Sequence, residues 1–129
     1  MIKKNVGIIP LAVIFLAFSA NAEVKLKDNS EILGKWKVTA EAARLDGEKK
    51  EVNIEWDFAN DGILHTKATD TRGRTKEMNI EVKYYVENGA IFKEVSPGRG
   101  KYEACHVVEK KDNNMTLKCT FLYFFLTKK

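Results

Sequence analysis

Apolar and polar residues alternate with a period of two along most of this chain after residue 33. Val52, Ile54, Trp56 and Phe58 fall on one side of the alternation, and Asn53, Glu55 and Asp57 on the other. Ile80, Val82, Tyr84 and Val86 repeat the pattern against Glu81, Lys83 and Tyr85. A strand sends successive side chains to opposite faces, so each run reads as a strand with one buried and one wet face. Between the runs stand Asp46-Gly47, Asn60-Asp61-Gly62, Arg72-Gly73 and Asn88-Gly89, residue types that tolerate the positive φ of tight hairpins. The two prolines, Pro10 and Pro97, leave these runs uninterrupted. Beyond a helix expected over the N-terminal segment 1–22, helix is expected only as a turn around Asp28-Asn29-Ser30-Glu31. The predicted class is all-β, an antiparallel up-and-down meander of seven or eight strands closing into a small barrel, which removes exposed edges.

Turn lengths then predict registers. A three-residue loop at 46–48 pairs Val38 with Trp56 and Trp36 with Phe58; a slip of one residue would set Trp36 against Asp57. A loop at 60–62 pairs Trp56 with Thr66 and Phe58 with Leu64. A two-residue turn at 88–89 pairs Val86 with Ile91 on one face and Lys83 with Glu94 on the other. A loop of Lys111-Asp112-Asn113 pairs Lys110 with Asn114, Val107 with Leu117, and Cys105 with Cys119. These two cysteines, the only ones in the chain, are expected to form a disulfide. Without a Cys-x-x-Cys spacing, a redox-active pair is not expected.

The first residues change the picture of compartment and charge. "MIKK" precedes an apolar run from Val6 to Phe18, and a short polar stretch ends in Ala20-Asn21-Ala22. A basic head, a short apolar middle and small residues at −3 and −1 predict a secretory signal over 1–22, cut before Glu23. No cysteine stands at that cut, so a lipid anchor is not expected, nor any stable membrane anchor after cleavage. Removing 22 of 129 residues leaves 107, one small domain at 23–129. The segment holds two of the 22 basic residues and no acidic one, so the formal charge falls from +4 to +2. The remaining charges are interspersed, unlike the clustered positive track of a nucleic-acid binder. The expected location is the periplasm or the outside of the cell.

Gly34-x-Trp36, ahead of a meander of this length, resembles the Gly-x-Trp signature of the lipocalins and the wider calycin barrels. "LGKWKV", "WDFANDGIL", "YYVENGAIF", "MTLKC" and an aromatic last strand are similar to small bacterial lipocalin-like proteins across residues 32–127. The resemblance implies that Trp36 lies across a closed barrel floor, where Gly34 permits close backbone approach. In that family an arginine from the last strand packs over the tryptophan; this chain has Lys128 and Lys129 there. It also implies a non-catalytic exported binding protein for a small apolar ligand. The inward residues near the open end, Thr66, Ala68, Met78, Ile80 and Tyr84, with Trp56 deeper, would line its site. The alternative is an inhibitor or immunity-type protein that binds a partner protein through its loops, with the 98–101 and 70–74 loops foremost. A barrel packed solid by its own side chains favours this alternative.

Other chemistry has little footing. His65 points outward in the expected register. His106 faces inward if Tyr102, Ala104 and Val108 do, and outward if Cys105 and Val107 face inward. Two histidines and two cysteines match no compact zinc pattern, so neither metal nor cofactor is expected. "SPGRGKY" lacks phosphate-loop spacing and enters a strand, which makes it a hairpin loop with a basic tip. No nucleophile triad or carboxylate pair stands out. The tail "CTFLYFFLTKK" is apolar on both faces, so it is either a closing strand beneath residues 23–33 or an apolar contact surface.

Overall fold

The computed structural model describes residues 23–72, 74 and 76–129. The export signal expected at 1–22 lies outside the described residues. Eight strands follow one another as an antiparallel meander that closes on itself: β1 (Gly34–Ala42), β2 (Lys50–Phe58), β3 (Ile63–Thr69), β4 (Met78–Glu87), β5 (Ala90–Glu94), β6 (Tyr102–Lys111), β7 (Asn114–Lys118) and β8 (Tyr123–Lys128). The all-β barrel predicted from alternation is thus the fold. Among the described residues no helix is long and apolar enough to cross a membrane. A 3-10 turn at Asn29–Glu31 is capped by Asp28, whose carboxylate accepts the Ser30 N–H.

Two hairpins keep the expected register: Trp56 opposes Thr66 and Phe58 opposes Leu64, and Val86 opposes Ile91. Asn88 and Gly89 both take positive φ in the tight turn between β4 and β5. The first hairpin differs. Trp36 opposes Trp56 and Val38 opposes Ile54, not Phe58 and Trp56. Its loop runs from 43 to 49 rather than 46 to 48, and a bulge between Val38 and Ala40 adjusts the ladder. A shift of two residues keeps every side chain on its face, so the apolar pattern could not separate the two registers. Between β6 and β7 the turn is two residues, with Lys111 opposite Asn114 and Lys110 opposite Met115. A bulge between Val107 and Glu109 then restores the expected pairing of Val107 with Leu117.

That pairing sets Cys105 and Cys119 beside each other, and they form a disulfide with their Cα atoms 4.1 Å apart. In the chain-entropy account, tying a loop of this length restricts the unfolded chain by about 3 kcal/mol. Reduction, or the double change Cys105→Ala and Cys119→Ala, should therefore lower the stability by roughly 2–4 kcal/mol. Urea unfolding with and without reductant measures it.

The closed end is plugged by the segment before β1. Val24 bridges to Val107, the Leu26 N–H donates to the Gly89 carbonyl, and Leu26 and Ile32 are buried in the core. This corrects one expectation, since the segment seals the barrel floor and does not cover the outer face of the aromatic tail. On that face the ammonium groups of Lys49 and Lys118 stand over the rings of Phe125 and Tyr123, at 4.1 and 6.0 Å from their centroids. Above the plug, Trp36, Val38, Trp56, Phe58, Leu64, Val82, Tyr84, Ile91, Cys105, Val107, Met115, Leu117 and Leu126 fill the interior.

Candidate functional site

The plug segment leaves the other end of the barrel open, where the connections 43–49, 95–101 and 119–122 and the link from β3 to β4 emerge. The residues expected to line a ligand site divide there into two groups. Thr66, Ala68, Met78 and Ile80 share the inward face of β3 and β4, where Thr66 opposes Ile80 and Ala68 opposes Met78. β3 is paired with β2 along this stretch, while β4 runs on past the end of β5, and Met78 and Ile80 are 59% and 37% exposed. Trp56 and Tyr84 are instead buried core residues. The Tyr84 hydroxyl donates to the Ala59 carbonyl at 2.7 Å, its ring meets Phe58, and burial pushes its phenol pKa up. Trp56 packs edge-on to Phe58 and 5.2 Å from the Phe124 ring. Gly34 and Trp36 lie at the sealed end, with Trp36 directly opposite Trp56 and with Thr66, Ala68, Met78 and Ile80 farther along the barrel.

Beneath the opening lies a feature that no motif announced. Lys93 opposes both Tyr84 and Glu103, and since Tyr84 faces the core, both charged side chains point inward. Their ion pair is 2.7 Å long, with the side chains only 14% and 16% exposed, and the ammonium stands 5.5 Å from the Trp56 ring centroid. Burial works to raise the Glu103 pKa, but the Lys93 ammonium and the Thr120 N–H outweigh it and hold the carboxyl below its usual range. The signal was available in the alternation, because Lys93 shares parity with Ile91 and Glu103 with Cys105.

Glu103 also lies against the disulfide, with a carboxylate oxygen and the two sulfurs within 4.8 Å of one another. Bonded to each other, the sulfurs offer no thiolate to a metal. A small hollow of about 110 Å³ sits over this group, lined by Glu103, Cys119, Phe121, Leu122 and Phe124. Larger depressions of about 270 to 310 Å³ open on the outer wall and rim of β1, β2 and β3, among residues such as Lys37, Asn53, Glu55 and Lys67. The Lys129 ammonium, 2.6 Å from Glu55, lowers that carboxyl's pKa, and Lys37 donates to the Asn53 side chain.

Both histidines lie on the outer wall. His65 pairs with Glu81 and His106 with Glu23, each at 3.1 Å, and the buried Cys105 and Val107 resolve the orientation of His106 as outward. Lys83 and Glu94 do not form the expected cross-strand side-chain pair. Glu94 accepts the backbone N–H groups of Lys83 and Gly100, at 2.8 and 3.3 Å, which anchors the 95–101 loop and lowers the carboxyl's pKa.

No family model and no curated protein matches the chain. Among solved structures, the chain is similar to an uncharacterized protein from Bacteroides eggerthii, with a TM-score of 0.60 and 15% sequence identity over 75% of this chain and 98% of that one. At that identity the likeness is one of fold, and the eight-stranded antiparallel barrel is consistent with the lipocalin-like and calycin architecture.

Proposed function

We propose that this chain is an exported, non-catalytic recognition protein that engages another protein through the open end of its barrel. The observation that carries the reading is the placement of exposed apolar side chains. Leu45, Val95 and Phe121 are 52%, 53% and 85% exposed, and each sits in a different open-end loop. The closed-end turns at 60–62, 88–89 and 112–113 hold Asn, Asp and Gly instead. Large apolar groups on anchored loops are the usual anchors of protein contacts. The 119–122 loop is fixed by the disulfide, and the Glu94 carboxylate holds the base of the 95–101 loop. Arg44, Arg99 and Lys101, all exposed, give the same rim a basic character.

The interior supports this reading over a buried small ligand. Side chains fill the barrel from the Ile32 plug up to the contact of Trp56 with Phe124, and a guest would have to part those rings. The disulfide is compatible with an oxidising compartment.

Native mass spectrometry of the chain recovered from its own compartment should show a stoichiometric protein partner. Phe121→Asp should weaken that complex at least tenfold, about 1.4 kcal/mol or more, while leaving the melting temperature unchanged. Asn60→Lys, at the opposite end, should leave the complex intact. A co-purified small molecule and no protein partner, or equal effects of the two changes, would defeat the reading.

A further inference from the structure

β4 changes partners along its length. Met78 to Lys83 pair with β3, but pairing with β5 begins only at Tyr84, because β5 is five residues long against ten for β4. Among the described residues no strand covers the other edge of Met78–Val82. The direction of its backbone groups follows from two hydrogen bonds. The Tyr84 N–H donates to the Gly62 carbonyl, on the β3 side, and the Lys83 N–H donates to Glu94, on the β5 side. Alternation then points the N–H and C=O of Asn79 and Glu81 out of the free edge.

We propose that this edge pairs with the same edge of a second copy of the chain, in an antiparallel, two-fold symmetric ladder centred on Ile80. For outward-pointing groups to meet, odd residues must oppose odd residues, which leaves three compact registers. Centring on Asn79 sets Glu77 against Glu81, and centring on Glu81 sets two copies of Glu81 face to face. Both oppose like charges, which destabilises a cross-strand pair. Centring on Ile80 sets Met78 against Val82 and Ile80 against its own copy. It also brings the Glu77 side chain to that of Lys83 at the end of the ladder, where the Lys83 N–H already donates to Glu94. Asn79 then opposes Glu81, exchanging backbone hydrogen bonds twice by symmetry. This register alone makes the charges complementary, and it covers Met78 and Ile80, whose exposure the core does not explain. Such a two-fold contact uses one self-complementary patch. An unpaired edge of this kind is a template for another strand. Five residues of ladder bury less than a standard interface of about 1,600 Å², so the dimer should be weak and exchange rapidly.

Sedimentation of residues 23–129 across a concentration series should show a monomer–dimer equilibrium. The amides of Asn79 and Glu81 should become protected from hydrogen exchange as the concentration rises. Asn79→Pro removes an outward N–H without touching the β3 ladder, and should abolish the dimer. Glu77→Lys and Lys83→Glu should each weaken it several-fold, and the double variant should restore it, which separates a pairing defect from a folding one. Under mild oxidation Ile80→Cys should cross-link two chains, and Asn79→Cys and Glu81→Cys should not. A chain that stays monomeric at its solubility limit overturns the proposal. So does a dimer indifferent to Asn79→Pro, a charge swap without rescue, cross-linking through 79 or 81, or edge protection that appears only with a different protein bound.

Discussion

Lys93→Met should destabilise the fold at neutral pH by about 3–5 kcal/mol, because it leaves the Glu103 carboxylate buried without its cation. The ammonium is 2.7 Å from Glu103 and both side chains are mostly buried, so water cannot replace the lost partner cheaply. Thr120 also donates to that carboxylate, through its N–H at 3.2 Å and through its hydroxyl, but neither donor carries a charge. Changing both residues, Lys93→Met with Glu103→Met, should recover most of the loss, since a buried ion pair and an apolar pair of similar volume are often close in free energy. The pH dependence has a definite sign. In the native chain the Glu103 pKa is lowered by folding, so its stabilisation is complete above the ordinary carboxylate range. That stabilisation fades as pH falls through the lowered folded value. In Lys93→Met the carboxylate has lost the cation that lowered its pKa, and protonation relieves the buried charge. The gap between the native and variant chains should therefore narrow on acidification. Urea unfolding of the three chains across the acid range tests this. A gap that is constant with pH would assign the loss to the lysine's packing over Trp56 rather than to its charge.

The strands, their meander order and two of the hairpin registers were legible because period-two alternation and Asn-Gly or Asp-Gly turns are local properties of sequence. The first hairpin was not, since a longer loop and a bulge shift the ladder by two residues and return each side chain to its own face. The disulfide follows from the same reasoning, though by a path the turn did not suggest: a shorter turn and a bulge offset one another. The site was harder to see. Lys93 and Glu103 carry inward parity, but charged residues are so often outward that the alternation alone argues against burying them. Only the opposing strand, which places each beside the other and beside Trp56, makes burial affordable. The free edge of β4 was equally hidden, because it arises from the shortness of β5, a different segment. Tyr84 shows the reverse. Its inward parity was readable, but its hydroxyl is taken by the Ala59 carbonyl, which makes it part of the wall and removes it from the rim.

Trp36→Ala should cost about 3–5 kcal/mol, a large share of the roughly 5–15 kcal/mol that stabilises an ordinary small domain. The indole is nearly fully buried, and its Nε1–H donates to the Ile32 carbonyl at 2.9 Å, tying the floor to the plug segment. Lys128, directly opposite on β8, places its ammonium 4.9 Å from the ring centroid and donates to the Leu33 carbonyl. A lysine thus stands where the resemblance implied an arginine, joining the last strand, the indole and the chain entering β1 at one point. Gly34 belongs to the same arrangement: its φ is +108°, and a Cβ there would lie 2.5 Å from the Lys128 Nζ. Trp36→Phe should keep much of the packing yet lose the bond to Ile32, for about 1 kcal/mol, together with part of the attraction to the cation. A double-mutant cycle of Trp36→Phe with Lys128→Met separates these terms. Coupling of about 0.5–1 kcal/mol is expected if the ammonium interacts with the indole face, and strict additivity would leave Lys128 acting only through the Leu33 carbonyl.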